Sequence, residues 1–208
     1  MFHTKRISII MLILIGFGLC GIGVMPLLFS KHGHMAYALA STYAPPVNYA
    51  VGNVPFGVVA GNFTGHGSQD IAVANNYDST VSILENNGHG VFTEQIAHIP
   101  TGDNGNPVGI VAGNFMGNGY QDLAVTNIGD ASVGILANDG NGNFTLQPLI
   151  SVDFQTYGIA AGDFFGHGYQ DLAVTNQGDG MVTVLENNGH GTFTPHTPIA
   201  VGSAPEGL

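Results

Sequence analysis

Beyond residue 31 the chain has no lysine or arginine. Lys5, Arg6 and Lys31 are its only lysines and arginines, whereas its 14 acidic residues begin at Asp70, so the 168 residues after Ala40 carry negative charge alone. Such a surface has nothing with which to neutralise phosphates, which argues against nucleic-acid binding. It also lacks the lysine of Schiff-base chemistry and the arginine that clamps a carboxylate or phosphoryl group, and several enzyme classes fall with them. Cys20 is the one cysteine and lies in an apolar leader, so the body has neither a disulfide nor a cysteine-type zinc site. Tryptophan is absent and only 8% of residues are charged, but 44% are apolar, which suits one folded domain with a sizeable core.

What is present starts with an export signal. Residues 1–6 are basic and residues 7–25 form an uncharged run of 19 before Pro26. Ala38, Leu39 and Ala40 supply a small-x-small site, predicting a signal peptide over 1–40 cleaved after Ala40. The apolar run is also long enough to span a bilayer as an uncleaved N-terminal anchor. Both readings place the body outside, secreted or at the cell surface, with membrane contact only through that segment.

The body, 41–208, repeats itself. AGNFTGHGSQDIAV at 60–73 returns as AGNFMGNGYQDLAV at 112–125 and as AGDFFGHGYQDLAV at 161–174. LENNGHGVFT at 84–93 returns at 136–145 and 185–194, and AVGNVPFGV at 50–58 is matched by AVGSAPEGL at 200–208. The units run about 50–99, 100–149 and 150–199, with a partial one at 200–208. Short Val-, Ile- and Phe-rich runs bounded by Gly, Asn and Asp predict strands at 57–63, 70–75, 80–85 and 92–99 of the first unit. Four antiparallel strands per unit are the content of a propeller blade, so the expected fold is all-β, an incomplete β-propeller of three blades and the first strand of a fourth. Exposed outer edges lead to the expectation of a fragment of a longer propeller, with self-association or missing blades completing the ring. Asp78, Asp130 and Asp179 recur at one turn position, where an aspartate bonds forward to backbone amides.

The unit resembles the FG-GAP or VCBS repeat of integrin-α-like propellers. Phe56 and Gly57, the AGNF segment, the glycine-framed loop and QDIAV carry the likeness, and Gly109, Gly158 and Gly207 repeat the head glycine. It implies Ca2+-binding loops between the first two strands of a blade, with oxygen ligands at loop positions one, three, five and nine and a carbonyl at seven. In this chain those positions are Asn62, Thr64, His66, the Ser68 carbonyl and Asp70; then Asn114, Met116, Asn118, the Tyr120 carbonyl and Asp122; then Asp163, Phe165, His167, the Tyr169 carbonyl and Asp171. Met116 and Phe165 remove an oxygen, and His66 and His167 offer nitrogen, so binding should be weak and strongest in the third loop, which keeps two carboxylates. The alternative is a metal-free turn in which Asp70, Asp122 and Asp171 accept bonds from loop amides. The paired histidines His66 with His167 and His89 with His190 lie about a hundred residues apart, a spacing that argues against a zinc or copper site.

No HExxH, GxSxG or phosphate loop is present, and the acids recur in every unit where catalysis would want one asymmetric group. The expected function is a non-enzymatic, extracellular binding or adhesion module whose partner is a protein or a glycan. Alternatives are a lectin-like glycan binder using Tyr77, Tyr120, Tyr157 and Tyr169, and a propeller fragment accessory to an unidentified enzyme activity.

Overall fold

The computed structural model describes residues 46–207, so the signal or anchor expected at 1–40 lies outside the described residues. Among the described residues there is no helix, and none long and apolar enough to cross a membrane. From Tyr49 onward the chain forms one compact unit.

Blade 1 is the antiparallel sheet β1 (Pro55–Gly61), β2 (Asp70–Asn75), β3 (Thr80–Asn86) and β4 (Phe92–Pro100), in that order. Blade 2 follows with β5 (Pro107–Gly113), β6 (Asp122–Asn127), β7 (Ser132–Asn138) and an outer position shared by β8 (Phe144–Leu146) and β9 (Ile150–Ser151), both paired to β7. Blade 3 has β10 (Thr156–Gly162), β11 (Asp171–Asn176), β12 (Met181–Asn187) and the split outer pair β13 (Phe193–Pro195) and β14 (Ile199–Ala200). The split follows proline. Pro148 and Pro198 interrupt the outer strand of blades 2 and 3, where a residue without N–H ends a ladder, whereas β4 runs unbroken to Pro100.

The first strand lies two residues earlier than the sequence suggests. Val54, at φ 54°, turns the chain so that Pro55 opens the strand, and Phe63 leaves it to become part of the loop. The same left-handed step recurs at Asn106 (47°), Gln155 (58°) and Ala204 (54°). After Ala204, however, the chain forms no strand through residue 207, so the expected opening strand of a fourth unit is not formed among the described residues.

Two cores hold the blades together, and each lies between sheets. In the first, Phe63, Ala72, Ala74, Val81 and Ile83 of blade 1 meet Ile110, Leu123, Val125 and Leu136 of blade 2. In the second, Phe115, Ala124, Val133 and Ile135 of blade 2 meet Ile159, Leu172, Val174 and Leu185 of blade 3. Strand alternation explains this: Leu123 and Val125 point to one side of β6 and Ala124 to the other, so a blade is apolar on both faces. The head glycines let the inner strands meet. A Cβ on Gly109 would lie 2.5 Å from the Tyr157 carbonyl, and one on Gly57 would strike that of Val108.

Phe63 and Phe115 are fully buried, whereas Phe164, at the same register position of blade 3, is 50% exposed. Phe63→Ala and Phe115→Ala should therefore each cost about 3–5 kcal/mol of unfolding free energy, and Phe164→Ala under about 0.5 kcal/mol. Chemical denaturation of the three variants checks this, and equal losses would contradict the assigned joints.

Candidate functional site

Each glycine loop is tied down by the aspartate that starts the second strand. Asp70, Asp122 and Asp171 are fully buried. One oxygen of each takes the N–H of the residue ending the third strand, Asn86, Asn138 and Asn187, at 2.9 Å in every blade. The other oxygen gathers the start of the loop: Asp70 accepts from Phe63 N, Thr64 N and Thr64 Oγ1, Asp122 from Met116 N, and Asp171 from Phe164 N. Burial raises the pKa of Asp122 in spite of the amides that stabilise its charge.

The first loop position completes the turn. Asn62 Oδ1 accepts from Gly67 N and Asn114 Oδ1 from Gly119 N, each at 3.2 Å. Asp163 does more, taking Gly166 N, His167 N and Gly168 N at 2.8 to 3.0 Å, and these bonds hold its pKa below the ordinary carboxylate value. Positive φ at the glycines either side of the fifth position, such as Gly166 at 73° and Gly168 at 86°, lets the amides converge.

Ca2+ can be tested against these contacts. In the first loop Thr64 Oγ1 is spent on Asp70 and His66 Nδ1 sits 2.7 Å from Glu85. In the second, Met116 lies against Gly191 of the next blade, and Asn118 Oδ1 accepts from Tyr120 N while its Nδ2 donates to the Asn138 carbonyl. Each of these two loops has a single carboxylate and a neutral first-position oxygen, a poorer donor set for a hard cation than the two carboxylates of the third. The third loop differs. Asp163, His167 and Asp171 offer ligand atoms within 4.8 Å of one another. The rings of Tyr120 and Tyr169 close over the hairpin glycines Gly140 and Gly189, and both remain partly exposed.

Sequence reasoning missed the partners that surround the third loop. His167 Nε2 lies 3.5 Å from Asp171 and 3.8 Å from Glu186, and Glu186 also meets His196 Nε2 at 2.7 Å. Phe165 packs on His196 at 4.7 Å and on His167 at 6.0 Å, and His167 on Tyr169 at 5.3 Å. Phe165 and Tyr169 are each 43% exposed, so an aromatic and imidazole surface rises beside three carboxylates. The signal was available: blade 2 has Asn114, Asn118, Ala137 and Gln147 where blade 3 has Asp163, His167, Glu186 and His196.

The other recurrent acids do not behave as one set. Asp78 bonds backward, accepting from Asn53 N at 2.6 Å and Asn53 Nδ2 at 2.9 Å, not forward to its own turn. The reason is that the approach to β1 runs beside the β2–β3 turn, as the Asn76 N to Val54 carbonyl bond at 2.9 Å shows.

Residues 62–125 and 114–174 match the model of the FG-GAP-like repeat. Among curated proteins none matches. Three solved structures are similar. A functionally unknown protein of Desulfotomaculum acetoxidans aligns at TM-score 0.57 and 20% identity over 76% of this chain and 44% of its own. A lectin of Agrocybe aegerita that recognises non-reducing terminal N-acetylglucosamine aligns at 0.51 and 22%, over 68% and 37%. Streptogramin B lyase aligns at 0.52 and 19%, over 77% and 46%. The chain thus spans less than half the length of each, and at these identities the likeness is one of fold, that of a propeller whose sheets are not closed into a ring.

Asp78 has a pKa lowered from 3.8 chiefly by the Asn53 backbone bond. A depressed carboxylate contributes stability that is present above its unfolded pKa and lost as pH falls through the folded one. Asp78→Ala should therefore melt below the parent at neutral pH, with the gap narrowing as pH falls below 3.8. Thermal melts across that range check it, and a gap that widens on acidification would contradict it.

Proposed function

The chain belongs to the family of FG-GAP-like repeats, and from that premise we propose a non-enzymatic binding module outside the cell, whose ligand-facing part is the glycine loop of blade 3. The observation that carries this reading is the asymmetry of that loop. Only there do a first-position carboxylate, a fifth-position histidine, Glu186 and His196 occur together, close to the exposed rings of Phe165 and Tyr169. Copies kept alike serve the fold, whereas a copy that gathers exposed, chemically varied groups serves recognition. The outside location rests on the leader at 1–40.

Between a protein and a glycan as partner, the surface favours the glycan. Flat rings receive the apolar face of a sugar, and carboxylates and imidazoles beside them accept and donate bonds to hydroxyls. The Agrocybe aegerita lectin supports the reading as a similar fold put to sugar recognition, and streptogramin B lyase warns that the same fold also carries enzymes, so the site has to decide. Ca2+ in this loop would be held by Asp163, Asp171 and the Tyr169 carbonyl, with His167 a poor donor for it, so the affinity is weak.

Two measurements test the proposal. On a glycan array the chain should retain sugars, with Phe165→Ala and Tyr169→Ala each lowering affinity about tenfold, the effect of losing one stacking contact of about 1.4 kcal/mol, and Tyr120→Ala leaving it unchanged. Calorimetric titration with CaCl2 should give weak heat that Asp163→Ala removes. No retained glycan would defeat the lectin reading, and absent heat the Ca2+ reading, independently of each other.

A further inference from the structure

Sequence spacing argues against a metal shared by histidines of different blades, but within blade 3 the fold brings one imidazole up to two carboxylates of the sheet. Asp171 opens β11 and Glu186 lies near the end of its partner strand β12, so both acids stand at one end of the sheet. His167 comes from the loop between β10 and β11, and its Nε2 is 3.5 Å from Asp171 Oδ1 and 3.8 Å from Glu186 Oε1. A tetrahedral ion with bonds of about 2.0–2.1 Å holds neighbouring ligand atoms about 3.3–3.4 Å apart. These side chains therefore stand close to the spacing that one ion requires.

Each group is held in that orientation. His167 Nδ1 is turned the other way, 3.6 Å from Asp163 Oδ1 and 3.4 Å from Tyr169 N, the arrangement of a metal-bound imidazole whose second nitrogen faces a carboxylate. Asp171 Oδ1 accepts the N–H of Asn187 at 2.9 Å and, as a carboxylate oxygen, has a lone pair to spare. Glu186 is steadied from its far side, where His196 Nε2 lies 2.7 Å from Oε2. His196 is set by the fold in turn, since its N–H donates to the Val184 carbonyl at 2.8 Å where β13 ends.

The group belongs to blade 3 alone. At the positions of His167, Glu186 and His196, blade 2 has Asn118, Ala137 and Gln147, and all three stay at least partly exposed although blade 3 is packed on that blade. These positions lie clear of the face that joins blades, so access to them does not depend on a neighbouring sheet. Blade 1 keeps a related pair, His66 Nδ1 and Glu85 Oε1, but there the two bond each other at 2.7 Å, and Gln95 stands where blade 3 has His196.

We propose that blade 3 binds a zinc-class divalent cation through His167 Nε2, Asp171 and Glu186, with His196 as the positioning residue that holds Glu186. The nitrogen donor separates this site from a Ca2+ loop: hard cations take oxygen ligands, whereas imidazole suits Zn2+, Cu2+ and Ni2+. The third loop position, which would give Ca2+ an oxygen, is Phe165 here. Glu186 lies outside the loop and supplies the carboxylate that a second acid of a zinc site requires. Three protein ligands leave one position of a tetrahedral ion open to water. The inference goes beyond the sugar reading and does not rest on it, so a chain that retains no glycan still takes the ion.

Calorimetric titration of the full-length chain in detergent with ZnCl2 tests the proposal, with CoCl2 as a spectroscopic probe. Zinc should bind more tightly than Ca2+, and Co2+ should give the visible absorption of a four-coordinate ion. His167→Asn and Glu186→Ala install the residues of blade 2 and should abolish both signals with an unchanged circular-dichroism spectrum. His196→Gln, also the blade 2 residue, should weaken zinc about tenfold, the loss expected when the partner of a metal ligand is removed. Glu186→Ala and His196→Gln lie outside the Ca2+ ligands and should leave the Ca2+ heat as it was, so the two metal readings fail separately. Absence of zinc heat in the parent would overturn the proposal. So would zinc binding that His167→Asn and Glu186→Ala leave unchanged, which would place the ion elsewhere on the chain.

Discussion

A buried carboxylate with no lysine or arginine to meet it governs this structure. Asp70, Asp122 and Asp171 are removed from water in a body that offers neither lysine nor arginine. An unpaired buried charge is costly, so its partners have to be backbone N–H groups. That requirement dictates the local sequence. The loop must curl until several amides point at one oxygen, which needs the left-handed glycines, and the third strand must end level with the second, so that Asn86, Asn138 and Asn187 can give their N–H to the other oxygen. The same asparagines then hold the hairpin tip, their Oδ1 accepting from Gly88, Gly140 and Gly189.

The curled loop also makes the joint between blades. With the aspartate holding its first amides, Phe63 or Phe115 is thrown out of the sheet into the neighbour's apolar face, and its carbonyl and the preceding amide are turned toward the neighbour's asparagine and glutamine. One motif therefore serves two purposes, closing its own blade and docking on the next. Thr126 adds a link at the inner end of the second joint, accepting from Gly109 N and donating to the Tyr157 carbonyl. The first joint has Ala74 at that position and uses Asn76 Nδ2, which donates to the Asn106 carbonyl.

What the sequence discloses is what happens within a blade. Strand punctuation places β2 to the residue, and β3 and β4 to within one, because their ends are set by turns of local chemistry. The ninth-position aspartates are legible as loop anchors for the same reason. β1 is misplaced because an apolar Phe63 looks like a strand residue, whereas the pull of Asp70 on its amide takes it out of the sheet. Contacts between blades are not legible. Nothing in QDLAV says that its glutamine, Gln121, reaches a backbone amide 59 residues earlier, or that Met116 belongs to a joint where a cation ligand was sought. Nor does the chain order show that His196 closes on Glu186, since that depends on β13 folding back along β12.

These two kinds of contact explain why the repeats have diverged where they have. The buried aspartate and the strand-ending asparagine are the same in all three blades, because a change at either would strand a charge or an amide inside the sheet. The third loop position faces outward or toward a neighbour and differs in every copy, Thr64, Met116 and Phe165, whereas the fifth is histidine in blades 1 and 3 and Asn118 in blade 2. In blade 2 that freedom is consumed by the joint, where Met116 packs into the second core. In blade 3 the same positions stand exposed among the described residues, where Phe165 packs on His167 and His196 instead of on a neighbouring sheet.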